Sequence, residues 1–214
     1  MMNNISKNGM ILGAFALATT AMIGLTFVGT SDRITQQRLT LLQQTLEQVM
    51  PSSFYDNALA ASCTLVADER LGSTPNRVYR ATKEGESIGF VVESTAPNGY
   101  SGKIHMLTGM LMNGTVTGVR VLDHKETPGL GDKIDIRISD WILSFNGQQV
   151  SEQNSALWEV KKDGGQFDQF TGATITPRAV VNQVELTIIT AMENSALWAA
   201  ADNNCDVPAE TNDE

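Results

Sequence analysis

The stretch KIHMLTGMLMNGTVTGVRVLD, residues 103–123, consists of two β-rich runs, 103–111 and 115–123, held apart by Met112-Asn113-Gly114. Asn-Gly between such runs is a strong short-range hairpin signal, because both residues tolerate positive φ; the expectation is a turn with Asn113 and Gly114 both in that region. Asn113-Gly114-Thr115 also spells a glycosylation sequon, which the hairpin makes incidental. Upstream, the turn formers of APNGYSG (96–102) precede the hairpin, and three more strand signals lie before them: CTLVAD (63–68), RVYRAT (77–82) and SIGFVVEST (87–95). Consecutive strands joined by short turns predict an antiparallel β-meander. Downstream, HKETPGLGDK (124–133) breaks the pattern with a proline and two glycines, and the short segment DWILSF (140–145) is stopped by Asn146-Gly147. From Pro177 to Ala200, apolar residues recur at Val180/Val181, Val184, Ile188, Ala191/Met192 and Ala196, which is helical spacing. Thr176 suits the N-cap and Pro177 the first helical position. The class is α+β, with helices flanking a mainly antiparallel sheet.

The N-terminus reads differently. Between Asn8 and Ser31 there is no charged residue, and GMILGAFALATTAMIGLTFVG is mostly apolar. At 1.5 Å per residue, about 20 helical residues cross the hydrocarbon core of a bilayer. A cleaved signal peptide has a shorter apolar region ending in a small-x-small site. Here Ala16-Leu17-Ala18 lies in the middle of the run, so the segment is read as a single transmembrane anchor over residues 9–30, after a short tail at 1–8. DRITQQRLTLLQQTLEQVM continues a helical stripe through Ile34, Leu41, Leu42, Leu46 and Val49 until Pro51, giving a juxtamembrane helix over 31–50. Lys7 and the terminal amine balance Arg33 and Arg38, with Asp32 beside them, so the positive-inside count leaves the orientation nearly tied.

The chain has 214 residues and a formal net charge of -9, with 42% hydrophobic residues. An acidic balance argues against nucleic-acid binding, which needs a basic patch to displace counterions. The mean hydropathy of -0.12 averages an apolar anchor with a polar remainder. Five acids and no base lie between Asp202 and Glu214, and residues 201–214 are read as an acidic, solvated tail beyond a folded domain at 51–200. Cys63 and Cys205, the two cysteines, are too few for a disulfide-framework fold or a four-cysteine zinc site. They either form one disulfide or remain thiols. No metal site is expected: His105 falls in a strand and His124 in a loop, without a second histidine or cysteine nearby. No serine–histidine–acid arrangement is legible. Trp141, Trp158 and Trp198 read as packing residues.

The chemistry concentrates in Asp168-Gln-Phe-Thr171-Gly172-Ala173-Thr174-Ile-Thr176-Pro177, a hydroxyl-rich loop running into a helix N-terminus. Such an end presents unpaired N–H groups and the positive pole of the helix dipole, which favour a phosphate or another anion. Thr171, Thr174 and Thr176 can each donate to phosphate oxygen, and Arg178 can add charge. From its residues alone, the segment is either a capped helix after an ordinary loop or an anion cradle. It is not a Walker loop, lacking the long glycine-rich run and the lysine.

The string D-x-x-T-G-A-T-x-T resembles the flavinylation motif of FMN-binding-domain proteins, found in the G subunit of the Rnf electron-transport complex and in the C subunit of the sodium-pumping NADH:quinone reductase. The resemblance implies FMN joined by a phosphoester bond to Thr174, with Thr171, Gly172 and Ala173 completing the motif, Thr176 beside it, and Asp168 as the acid recognised by a flavin transferase. His124-Lys-Glu126-Thr127-Pro128-Gly129-Leu130-Gly131 is similar to the family's H-x-E-T-P-G-L-G loop, which implies that Glu126, Thr127, Gly129 and Leu130 lie near the flavin. The modest length suits the Rnf subunit better than the quinone-reductase subunit. The function so implied is electron transfer within a membrane complex that couples ferredoxin–NAD electron transfer to ion transport or keeps a redox-sensing regulator reduced. Implied partners are the iron–sulfur and flavin subunits of that complex, a flavin transferase and membrane lipid. The implied location is a bacterial inner membrane, with the folded domain in the periplasm. The competing readings are the quinone-reductase subunit and an anchored module that binds a phosphate-bearing ligand reversibly.

Overall fold

The computed structural model describes residues 2–72, 75–151 and 154–205. Its first element, α1, runs from Met2 to Val49 without interruption. By contacts the chain divides into two units, the first ending at Leu41 and the second beginning at Leu42. Within the first unit every residue from Ser6 to Thr30 is exposed, and the most apolar window has a mean hydropathy of 2.0. A helix apolar on all sides and covered by nothing in its own chain belongs in lipid rather than water. Thr19, Thr26 and Thr30 return their hydroxyls to carbonyls one turn back, which satisfies these polar groups inside the helix.

The second unit is built on a five-stranded antiparallel sheet in simple chain order, β1 (Cys63–Val66), β2 (Asn76–Lys83), β3 (Glu86–Ala96), β4 (Ile104–Leu111) and β5 (Val116–Asp123). All five expected strands are present within two residues at either end. The β4–β5 hairpin forms, but with different turn chemistry. Gly114 alone takes positive φ (81°), while its N–H donates to the Leu111 carbonyl at 2.9 Å. That is a type I turn closed by a left-handed glycine, so Asn113 keeps an ordinary conformation and its side chain instead accepts from the Thr115 N–H. The two-residue turn with both φ positive lies between β2 and β3, at Glu84 (54°) and Gly85 (83°).

Side chains alternate across the strands and divide the core in two. On one face Phe90, Val92, Met106, Met110 and Val119 pack under α2 (Ile175–Glu193) and under the irregular segment between β5 and α2, where Phe145, Trp158 and Phe167 stack. DWILSF is a 3-10 helix in that segment, capped by the Ser139 hydroxyl. On the other face Tyr79, Val91 and Leu107 receive Leu46 and Val49 from the end of α1 and Met50 just beyond it. Two paired glycines make room for that approach: a Cβ on Gly109 or Gly118 would fall 2.7 or 2.8 Å from Val49 atoms.

Three boundaries depart from expectation. The final helix begins at Ile175, two residues early, because Thr176 is drawn inward by a buried carboxylate rather than turned out to cap. It also stops at Glu193, where Asn194 caps back onto the Thr190 carbonyl, and a separate α3 (Ser195–Ala200) follows. Arg80 holds the end of α3, donating to the carbonyls of Trp198, Ala199 and Ala201. The expected tail is not free where it begins. Cys205 is disulfide-bonded to Cys63, Thr64 donates to the Asp202 carbonyl, and Asn204 accepts from the Leu65 N–H, so residues 202–205 run along the edge of β1. The remainder of the expected tail, 206–214, lies outside the described residues.

Candidate functional site

Phe170, Thr171, Gly172 and Ala173 form a tight turn, closed by the Ala173 N–H donating to the Phe170 carbonyl at 3.0 Å. Gly172 stands third in it with φ at +81°, a conformation that a Cβ would strain. Phe170 anchors the turn by packing edge-on against Trp141, whose indole N–H donates to the Asp168 carbonyl at 2.7 Å. The turn delivers Thr174 to the N-cap of α2. Its hydroxyl makes no capping hydrogen bond, and the Pro177 ring occupies the third helical position, where no N–H is needed. A partly exposed threonine hydroxyl therefore stands at the positive end of a 19-residue helix.

Opposite this end lies the loop that follows β5. Leu130 and Gly131 both donate their N–H groups to the Thr127 carbonyl, and Gly129 makes the turn with φ at +76°. Glu126 points inward, only 5% exposed. One carboxylate oxygen accepts from the buried Thr176 hydroxyl, and the other from the Ser101 N–H at 3.0 Å, so the loop, α2 and the β3–β4 turn meet at one side chain. Its own N–H donates to Nδ1 of His124, which leaves Nε2 of that ring facing Asp135 at 3.9 Å. The Arg137 guanidinium beside Asp135 holds that carboxyl below the usual carboxylate range.

Between the loop and the helix end is an open cavity of about 270 Å³, walled by Glu126, Thr127, Leu130, Gly172, Ala173, Thr174 and Thr176. The two sequence motifs, over forty residues apart, thus form the two sides of one pocket. Of the residues singled out from sequence, Thr171, Gly129, Asp168 and Arg178 lie outside its lining. Thr171 is exposed on the turn and Gly129 serves the loop's backbone. The Asp168 side chain is 70% exposed and pairs with Lys161. Thr176 lines the pocket, but its hydroxyl is engaged by Glu126. Arg178 is likewise engaged, by both oxygens of Asp163 at 2.7 and 2.9 Å, which also lowers the Asp163 pKa. Sequence reasoning passed over Tyr100 and Ile175, and quoted Gly131 as part of the loop motif without naming it among the residues near the flavin. Tyr100 and Ile175 are exposed apolar groups at the rim, and an aromatic in the polar turn PNGYSG was the available signal for the first. For Gly131 the signal is visible only in space: an added Cβ would lie 2.8 Å from the Thr176 hydroxyl.

The pocket suits a phosphate-bearing planar ligand: a free hydroxyl on a helix N-terminus, glycine turns that let backbone approach closely, and apolar groups at the rim. Residues 99–188 match the FMN-binding domain family, and residues 1–49 match the RnfG N-terminal region. The chain is 53% identical over 203 residues to the G subunit of the ion-translocating oxidoreductase complex of Pseudoalteromonas atlantica, covering 94% of each chain. It is 54% identical over 186 residues to the protein of that description from Vibrio cholerae, covering 86% of this chain and 89% of that one. For Shewanella amazonensis the identity is 45% over 208 residues, 96% and 97% of the two chains. Among solved structures, the crystal structure of Shewanella oneidensis NqrC matches with a TM-score of 0.47 and 23% identity over 67% of this chain and 72% of that one.

Proposed function

Because the chain belongs to the RnfG family, the G subunits of ion-translocating oxidoreductase complexes, we propose that it passes electrons through an FMN held by a phosphoester bond to Thr174. It is a membrane-anchored, FMN-binding subunit of such a complex. The observation that carries the covalent reading is the Thr174 hydroxyl: uncapped, on the pocket wall, at the positive pole of α2. Bound FMN supplies one- and two-electron redox chemistry. This chain's residues hold and orient the group. The Ile175 and Thr176 N–H groups and the helix dipole favour the phosphoryl charge. Gly172 and Ala173 shape the turn that presents Thr174, while Thr127, Leu130 and Tyr100 offer polar and apolar wall. Attachment consumes the Thr174 hydroxyl, so this residue is a tether and not a catalytic nucleophile. A tether also removes dependence on free FMN where that is scarce. Asp168, exposed on the same loop, is open to recognition by a flavin transferase.

The domain faces the periplasm in this reading, and the anchor at 9–30 enters the inner membrane with its N-terminus inside. Charge leaves the orientation nearly tied, but the Cys63–Cys205 disulfide favours an oxidising compartment, and both cysteines belong to the folded unit. Partners are the iron–sulfur and flavin subunits of the complex, with lipid around the anchor. The complex as a whole couples ferredoxin–NAD electron transfer to ion movement or reduces a redox-sensing regulator. Full-length identity to the RnfG-type relatives favours this assignment over the quinone-reductase subunit. Intact mass of the chain co-produced with a flavin transferase tests the tether: one added FMN residue is expected, lost in Thr174→Ala. An unmodified wild-type chain, or flavin that survives denaturation in the variant, overturns it.

A further inference from the structure

Glu126 is the one buried carboxylate in the wall of the pocket, and its surroundings are unusual. Both of its oxygens are engaged, one accepting from the Ser101 N–H and the other from the Thr176 hydroxyl. Neither donor carries charge. Among the described residues Glu126 forms no ion pair, whereas Asp135, Asp163 and Asp168 nearby each pair with an arginine or lysine. Backbone closes around it: a Cβ on Gly99 or on Gly131 would fall 2.9 Å from one or the other of its oxygens. A side chain walled in this way is held in one position, and a charge removed from water acts on its neighbours through a weaker dielectric than a surface charge does.

We propose that Glu126 tunes the flavin electrostatically: it is a positioning residue whose uncompensated carboxylate, fixed in the pocket wall, lowers the midpoint potential of the FMN bound there. Electron uptake adds negative charge to the flavin, and a fixed negative charge beside the pocket disfavours it. The proposal rests on FMN occupying this pocket. It goes further in giving Glu126 an electronic role in addition to its structural one.

The test uses the full chain in detergent, co-produced with a flavin transferase, with the midpoint potential read by spectroelectrochemical titration of the FMN-carrying fraction. Glu126→Gln removes the charge and keeps a group able to bond to both Ser101 and Thr176, so a shift to more positive potential is expected. Glu126→Asp retains the charge and is expected to stay near wild type. Thr176→Val loosens the same junction while leaving the carboxylate, and is expected not to raise the potential. An unchanged potential in Glu126→Gln overturns the proposal. So does an equal rise in Thr176→Val, which would assign the shift to loosened packing, and so does a Glu126→Gln chain that carries no FMN, which would make the residue structural only. A wild-type chain without the FMN mass overturns the attachment itself and is told apart by that measurement.

Discussion

Gly131 shows how strictly single positions are set around the pocket. Its missing Cβ leaves room for the Thr176 hydroxyl and the Glu126 carboxylate, which would otherwise lie 2.8 and 2.9 Å away. Overpacking of this kind costs about 1–3 kcal/mol, so Gly131→Ala is expected to lower the denaturation midpoint and to reduce the fraction of chain that acquires FMN mass. Asp135 provides a pH signature. Its pKa is lowered chiefly by hydrogen bonds from Arg137, and a group depressed in the folded state stabilises above its unfolded pKa and loses that contribution as pH falls through the folded value. The thermal stability of the wild type is therefore expected to fall as pH drops below about 4, and Asp135→Asn is expected to flatten that dependence. A variant with the wild-type acid slope would remove Asp135 as its source. At this scale the sequence was informative about chemistry and uninformative about direction. Thr176 was legible as a hydroxyl beside the motif, but its alignment into the interior depends on Glu126, fifty residues away.

At the scale of elements, periodicity was a good guide wherever an element meets both water and core. The strands stand where β-rich runs lie between turn residues, even though β3 and β4 are buried on both faces and show no alternation. The departures come where a contact outside the element decides. Asn194 ends α2 by bonding back to Thr190, and Arg80 gathers the carbonyls at the end of α3. No periodic pattern encodes either. The end of α1 makes the same point. Leu46, Val49 and Met50 are buried against the sheet, so the last turns of the anchor helix belong to the folded unit's core. Leu46→Ala is expected to destabilise that unit by about 2–5 kcal/mol, read as a lower denaturant midpoint with the disulfide intact. A cost near zero would mean that the helix end contributes nothing to the fold.

For the whole molecule, the Cys63–Cys205 bond joins positions 142 residues apart and ties the C-terminal segment to the edge strand β1. Removal of such a bond costs about 2–5 kcal/mol, so Cys205→Ser is expected to unfold at lower temperature than wild type under non-reducing conditions, with the difference lost when both are reduced. Equal stability of the two oxidised chains would deny the bond a structural role. The amino-acid sequence alone determined the apolar anchor, the order of the five strands and the Thr171–Thr174 motif, because each is written in neighbouring residues: hydropathy over a turn-by-turn window, β-rich runs between turn formers, and a contiguous string. Tertiary structure alone decided that the 124–131 loop and the α2 N-terminus face each other across one pocket, that Glu126 locks them together, that Arg178 is committed to Asp163, and that Cys205 reaches Cys63. These are contacts between segments far apart in the chain. Their geometry is set only when the two faces of the sheet have been covered, so no local pattern carries it.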